Sequence, residues 1–410
     1  MSGTNTRLIR STLSTLLLVS ILSGLASAAI GLKSLHSFTG GSNGFAPQGA
    51  LAFDAAGNLY GTTLDGGNEA HCGGGCGIVF QLSPQTSGGW KFRIIYSFTG
   101  ETDGSYPSGG VTLDAAGNIY GTTESAGTGG CGAVWELTPN GNTWTETTLY
   151  DFGNQPDGCS PAWGIILDSS GNLYGATSNG GPYNGGTVFQ LVPQGDGTWL
   201  ENILHAFSSG RDGYDAYSGV TMDSSGNLYG TTGGGIYGAG AVYQLSQSGG
   251  AWAETILFYF TGGQNGSQPY GGVVLDKSGN LYGTTEFGGL DNVGTVYELT
   301  PSSGFWKLTV LHNFSGGNDG GVPIGGVVRS ASGDLYGPTL YGGYYEWGTI
   351  FRLAPAANGK WTETVLHSFA NRFDGSDPQT GLSFDSAGNL YGTTQSGGAD
   401  GIGAVFELAP

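Results

Sequence analysis

One phrase, Asn58-Leu59-Tyr60-Gly61-Thr62-Thr63, occurs seven times along the chain with small changes. Its later copies begin at Asn118, Asn172, Asn227, Asn280, Asp334 and Asn389, at spacings of 60, 54, 55, 53, 54 and 55 residues. A near-constant period of this length marks a repeat architecture, in which one supersecondary unit is copied and stacked. The fold is then set by the unit and by the rule that joins one unit to the next.

The unit around Asn280 reads as four strands. Gly272 to Asp276 is a short apolar run, and Asp276 to Asn280 is a tight turn whose Asp can bond the downstream backbone and whose Gly can take positive φ. Leu281 to Thr285 follows, then a Gly-rich loop, then Gly294 to Leu299 with apolar residues at every second position. Trp306 to Phe314, WKLTVLHNF, is the fourth strand, rich in β-branched and aromatic residues. Four antiparallel strands per unit, with no intervening helix, predict a β-propeller blade.

The ends of the chain predict how the ring closes. The last unit stops at Pro410 after its third strand, Gly403 to Leu408, while the N-terminal stretch 32–38 carries the fourth-strand ending Leu35-His36-Ser37-Phe38. The reading is an all-β, seven-bladed β-propeller closed by the N-terminal strand, which leaves no exposed sheet edge at the seam. An open solenoid of the same units would leave both ends unpaired. Expected blades lie near 48–98, 109–152, 163–207, 218–260, 271–314, 325–369 and 380–408 plus 32–38, within a single domain 29–410.

Composition agrees with this and excludes other classes. Gly supplies 82 of 410 residues, which disfavours helices. Aromatic residues reach 12 % and charged residues only 10 %, the opposite of a disordered chain. With 31 acids against 12 bases, the net charge of −19 would repel phosphate, so no nucleic-acid partner is expected. Residues 1–28 read as a secretory signal peptide. Arg7 and Arg10 precede the apolar run Leu16 to Leu25, and Ala26-Ser27-Ala28 is a small-residue cleavage site. Ten apolar residues are too few to cross a bilayer, which needs ~20. The expectation is a secreted monomer, extracellular or periplasmic, without a membrane span in its mature form.

The unit D-x-x-G-N-L-Y-G-T-T, G-T-V-F-x-L-x-P, W-x-E-T-x-L-H-S-F resembles the GloVer (Gloeo/Verruco) tandem repeat of exported bacterial proteins. The resemblance spans roughly residues 32 to 410. It implies export and a repeat fold, and brings no established activity and no catalytic residues. The family carries varied C-terminal sorting anchors, and no such anchor is expected here after Pro410. The first two strands also resemble NHL-type propeller repeats.

Residues present in every blade are expected to serve the fold. His36, His205, His312 and His367 share one fourth-strand position and read as structural. Asp103, Asp157, Asp212, Asp319 and Asp374, each followed by Gly, precede the first strands. They read either as crossover turns or as a ring of carboxylates for Ca²⁺. No metal site and no cofactor is assigned. The four Cys stand outside the repeat pattern. An even count in an exported chain predicts disulfides, with Cys72–Cys76 and Cys131–Cys159 favoured. Zinc at Cys72, Cys76 and His71 is a weaker reading.

Function is expected where blades differ. The upper-face loops concentrate aromatic residues beside carboxylates: Tyr214 and Tyr217 in the crossover into blade four, Tyr237 in blade four, Glu286 and Phe287 in blade five, and Tyr341, Tyr344, Tyr345 and Trp347 in blade six. Such faces suit sugar rings by stacking and hydrogen bonding. They suit a protein partner equally, and packing within the loops is the remaining reading. The expected function is a secreted binding module for an extracellular glycan or a protein. The rival is a propeller enzyme, a lyase, lactonase or glycoside-active protein, with a site at the upper mouth of the central channel. Glu124 and Glu286 are its candidate pair, expected far apart round the ring. No strand-to-helix G-x-S-x-G elbow, H-E-x-x-H helix or P-loop is expected, and no catalytic residue is assigned.

Overall fold

The computed structural model describes residues 31–409 except 154, 162 and 209. Residues 1–28, read from sequence as a signal peptide, lie outside the described residues. Seven four-stranded antiparallel sheets succeed one another along the chain. In the first, Phe45–Phe53, Leu59–Asp65, Ile78–Pro84 and Trp90–Ser97 lie side by side in chain order. The last sheet joins Ser383–Phe384, Leu390–Thr394 and Ala404–Leu408 to the N-terminal strand Leu32–Ser37. Leu32 pairs with Leu408 and Ser37 with Ala404, so the start of the chain closes the ring. No helix among the described residues is long and apolar enough to cross a membrane.

The repeated phrase folds into one local network. Asp276 accepts backbone N–H bonds from Ser278 and Asn280 at 2.8 and 2.9 Å, and also the Asn280 side-chain amide and the Tyr282 hydroxyl. Asp, Asn and Tyr of the phrase thus pin the first hairpin. Blade six has Ser330 in place of the Asp, and Arg352 there donates to Asp334. The Gly of the phrase answers a packing demand. A Cβ on Gly121 would stand 2.3 Å from the fully buried Trp135 ring of the third strand.

Blade joins blade through aromatic pairs. The terminal Phe of each fourth strand packs on the central aromatic of the next blade's third strand: Phe98 on Trp135, Phe152 on Phe189, Phe207 on Tyr243, Phe260 on Tyr297, Phe314 on Phe351 and Phe369 on Phe406, with centroids 5.1 to 5.4 Å apart. These edge-on contacts run through seven apolar clusters, most of which draw on two adjacent blades.

The crossovers are equally regular. Ala46, Tyr106, Ser160, Asp215, Gln268, Val322 and Asp377 all take φ between 52° and 61°, and Pro follows in six of the seven cases. The Tyr106 N–H donates to Cys76 O of the preceding blade at 3.0 Å, and Tyr106 O accepts from Glu124 N–H at 3.1 Å. A backbone conformation uncommon outside Gly is thus held from both sides. The crossover Asp residues face their own turns. Asp103, Asp157, Asp212, Asp319 and Asp374 each accept a backbone N–H from four residues upstream, at 2.8 to 3.0 Å. Disulfides join Cys72 to Cys76 and Cys131 to Cys159, and the second ties the blade-two loop to the crossover into blade three.

Candidate functional site

In six of the seven blades the repeated crossover places one residue at the upper mouth of the channel. Gln48, Ser108, Tyr217, Tyr270, Ile324 and Gln379 occupy this equivalent position and line one cavity of about 360 Å³. That is within the usual range of ligand pockets, roughly 300–1,000 Å³. Trp163, Thr380, Glu124 and Glu286 complete the lining. Each Glu directly follows a second strand, and its N–H is anchored to the crossover carbonyl beside it, Tyr106 for Glu124 and Gln268 for Glu286.

Glu124 and Glu286, expected far apart round the ring, stand directly after the second strands of blades two and five. Both line the same cavity. The loops that leave the second strands of blades two and five both border the channel mouth, so the two blades contribute to one space.

One wall of the cavity is aromatic. Trp163 lies edge-on to Tyr217 at 6.0 Å, and Tyr217 lies 5.2 Å from Tyr270. Trp163 takes φ 67°, a strained conformation for a bulky residue and one that tends to mark functional positions. The carboxyls are perturbed. Burial pushes the pKa of Glu124 up, with the Ser108 hydroxyl partly offsetting it, and burial pushes Glu286 up. Burial raises the Tyr217 phenol, with the charges of Glu124 and Asp215 adding to the effect. Tyr270 is pushed up to about 12 by burial, then by Asp215 and Glu286.

Of the aromatic and acidic residues selected from sequence, Tyr217, Glu124 and Glu286 are in this lining. The others lie on exposed loops outside it. Tyr214 rests against Gly234, Tyr237 lies edge-on to Tyr259, and Phe287 bridges to Ser267. Tyr341 bridges to Gly321, Trp347 to Gly342, and Tyr344 lies edge-on to Tyr345 at 4.8 Å. Sequence reasoning missed Trp163, Tyr270, Gln48, Ser108, Ile324, Gln379 and Thr380 as site residues. For five of these the available signal is the position after the crossover Pro, which varies between blades, while Trp163 and Thr380 stand one residue further on.

The repeated histidines sit on the outer side of the blades. His36 stacks on Phe92 at 3.8 Å, while His205, His312 and His367 lie 3.5, 3.3 and 3.1 Å from Asp212, Asp319 and Asp374. Among the described residues, His205, Asp212 and Glu254 bring three metal-ligand atoms within 4.8 Å of one another. This set lies between the fourth strands of blades three and four, outside the channel-mouth lining.

The Gloeobacter/Verrucomicrobia repeat matches residues 25–236 and 220–410. The chain belongs to this repeat family. No curated protein matches the sequence. Among solved structures, a proposed 6-phosphogluconolactonase from Bacteroides uniformis is 14 % identical, with a TM-score of 0.51, and the match covers 77 % of this chain and 84 % of that one. A proposed oxidoreductase (glucose dehydrogenase) from Thermus thermophilus is also 14 % identical, with a TM-score of 0.46, covering 93 % of this chain and all of the other. The first likeness is one of fold. At the channel mouth the equivalent residues of this chain's copies differ in chemistry: Gln48, Ser108, Tyr217, Tyr270, Ile324 and Gln379.

Proposed function

We propose that the protein is an extracellular binding module that holds a glycan at the upper mouth of its channel. The observation that carries this reading is the lining itself. Trp163, Tyr217 and Tyr270 offer flat apolar faces, and Gln48, Ser108, Gln379 and Thr380 offer amides and hydroxyls beside them. Sugar rings present C–H faces and rims of hydroxyl groups, and they need both kinds of partner. Two disulfides support an oxidising, non-cytoplasmic location. The test is a glycan array on the purified mature protein, repeated with Trp163→Ala and Tyr270→Ala. Loss of the bound glycans in variants that melt like the wild type supports the reading. An array with no ligand overturns it.

One observation favours a second reading. Two carboxyls with raised pKa share a cavity, an arrangement that general acid catalysis on a glycoside or lactone would use. Turnover of such substrates that is abolished by Glu124→Gln would favour the enzyme over the binding module.

A further inference from the structure

Among the described residues, the charged side chains that line the channel mouth are acids: Glu124 and Glu286 are there, and no Lys, Arg or His joins them. Neither Glu forms an ion pair anywhere among the described residues. Asp215 adds a third carboxyl close by, near enough to act on the hydroxyls of both Tyr217 and Tyr270. A half-buried carboxylate without a base is an unbalanced charge, costly unless something neutralises it.

The wall opposite in chemistry is aromatic, not apolar in general. Three rings from three successive blades, Trp163, Tyr217 and Tyr270, form a continuous series with centroids 6.0 and 5.2 Å apart. The negative face of an aromatic ring attracts a cation within about 6 Å of its centroid, and Trp does so most strongly. Carboxyls and aromatic faces around one cavity are jointly selective for positive charge on an apolar frame. The whole chain adds to this, because its 31 acids and 12 bases make a field that draws cations toward the mouth.

We propose that the glycan held in the channel mouth is an amino sugar with a free ammonium group, seated on the Trp163–Tyr217–Tyr270 wall with its charge toward Glu124 and Glu286. This rests on the glycan reading above and narrows it to one ligand class. The ammonium supplies the counter-charge that the lining lacks. The sugar ring and its hydroxyls engage the aromatic faces and the amides of Gln48 and Gln379.

The test compares two probes of equal length, an oligomer of glucosamine and its N-acetylated counterpart, by isothermal titration calorimetry at a pH where the free amine is protonated. The two differ only in the charge at nitrogen and the acetyl group. The expected result is at least about tenfold tighter binding of the free amine, the scale of one desolvated cation–π contact. The double variant Glu124→Gln/Glu286→Gln, checked for an unchanged melting curve, should erase that preference. Equal or tighter binding of the acetylated oligomer overturns the inference and leaves the glycan reading standing. A preference that survives in the double variant also overturns it, because it would come from the acidic surface at large. Binding of neither probe overturns the inference. The glycan reading then depends on its own array, so the two failures are separable.

Discussion

Phe38, near the N-terminus, packs edge-on against Phe80 of blade one with their ring centroids 5.3 Å apart. Both side chains are fully buried. This is the seventh member of the aromatic series that joins each blade to the next, and it completes the ring only because the first strand is seated in the last sheet. Removing it acts on the closure of the whole molecule. Phe38→Ala is expected to destabilise by about 3–5 kcal/mol, the scale of a buried Phe truncation. Deleting residues 29–38 should lower the melting temperature further. Differential scanning calorimetry on both variants measures this, and an unchanged melting curve for the deletion would refute closure by this strand.

How much of this was legible in the sequence follows from the same geometry. The blade count and the closing strand could be read because each rests on a pattern that repeats: the hairpin Asp276–Asn280–Tyr282 network, the alternating third strand, and the LHSF ending shared by the first strand. The channel mouth could not be read so directly. Trp163, Tyr217, Tyr270 and Glu286 come from three successive blades, but Glu124 comes from blade two and Gln379 and Thr380 from blade seven. Glu124 and Glu286 share a lining only because blades two and five both border the channel mouth. Sequence position along a closed ring does not convey that. The exposed aromatics of blade six drew attention because they cluster in sequence, which is a weaker guide than convergence in space.

The Cys131–Cys159 disulfide closes a segment of 28 residues and ties the blade-two loop to the next crossover. A cross-link over a loop of this length contributes roughly 3 kcal/mol in the chain-entropy account. The variant Cys131→Ser/Cys159→Ser should therefore unfold at visibly lower denaturant concentration than the wild type. Mass spectrometry of the exported protein without reductant should find no alkylatable thiol. Recovery of four alkylated Cys would contradict it.

Tyr150 stands between two carboxylates, with its hydroxyl 3.1 Å from both Asp157 and Glu201. One phenol proton cannot serve two ionised acceptors, so a further proton is favoured. Burial pushes Glu201 up to about 7, with the Tyr150 hydrogen bond offsetting part of the rise and the charge of Asp157 adding to it. The folded state thus holds this proton more tightly than the unfolded chain does, where a Glu titrates near ~4.3. The contribution to stability is complete below the ordinary carboxyl range and declines as pH rises through about 7. Glu201→Gln should flatten that part of the decline and melt higher than the wild type on the alkaline side. A melting temperature against pH that is the same in both proteins would refute the assignment.

Trp347 and its neighbours test whether the rim of blade six takes part in recognition. Tyr344 is 75 % exposed and Trp347 42 %, too open for rings whose role is to anchor their own loop. The Trp347 backbone serves the scaffold through its carbonyl, which accepts the Asp377 N–H at 3.3 Å, and an Ala substitution keeps that bond. Exposed aromatic residues in one patch usually mark an interaction surface. Trp347→Ala should therefore change stability by less than about 0.5 kcal/mol, as surface substitutions do. If a long glycan or a protein partner reaches from the channel mouth across this rim, the same variant should weaken its binding by ~1–3 kcal/mol, the scale of a truncated interface aromatic. A short oligomer that fills only the mouth should bind the variant as it binds the wild type. Melting curves and calorimetry with short and long ligands separate these outcomes, and a large loss of stability in Trp347→Ala would return the loop to a purely structural role.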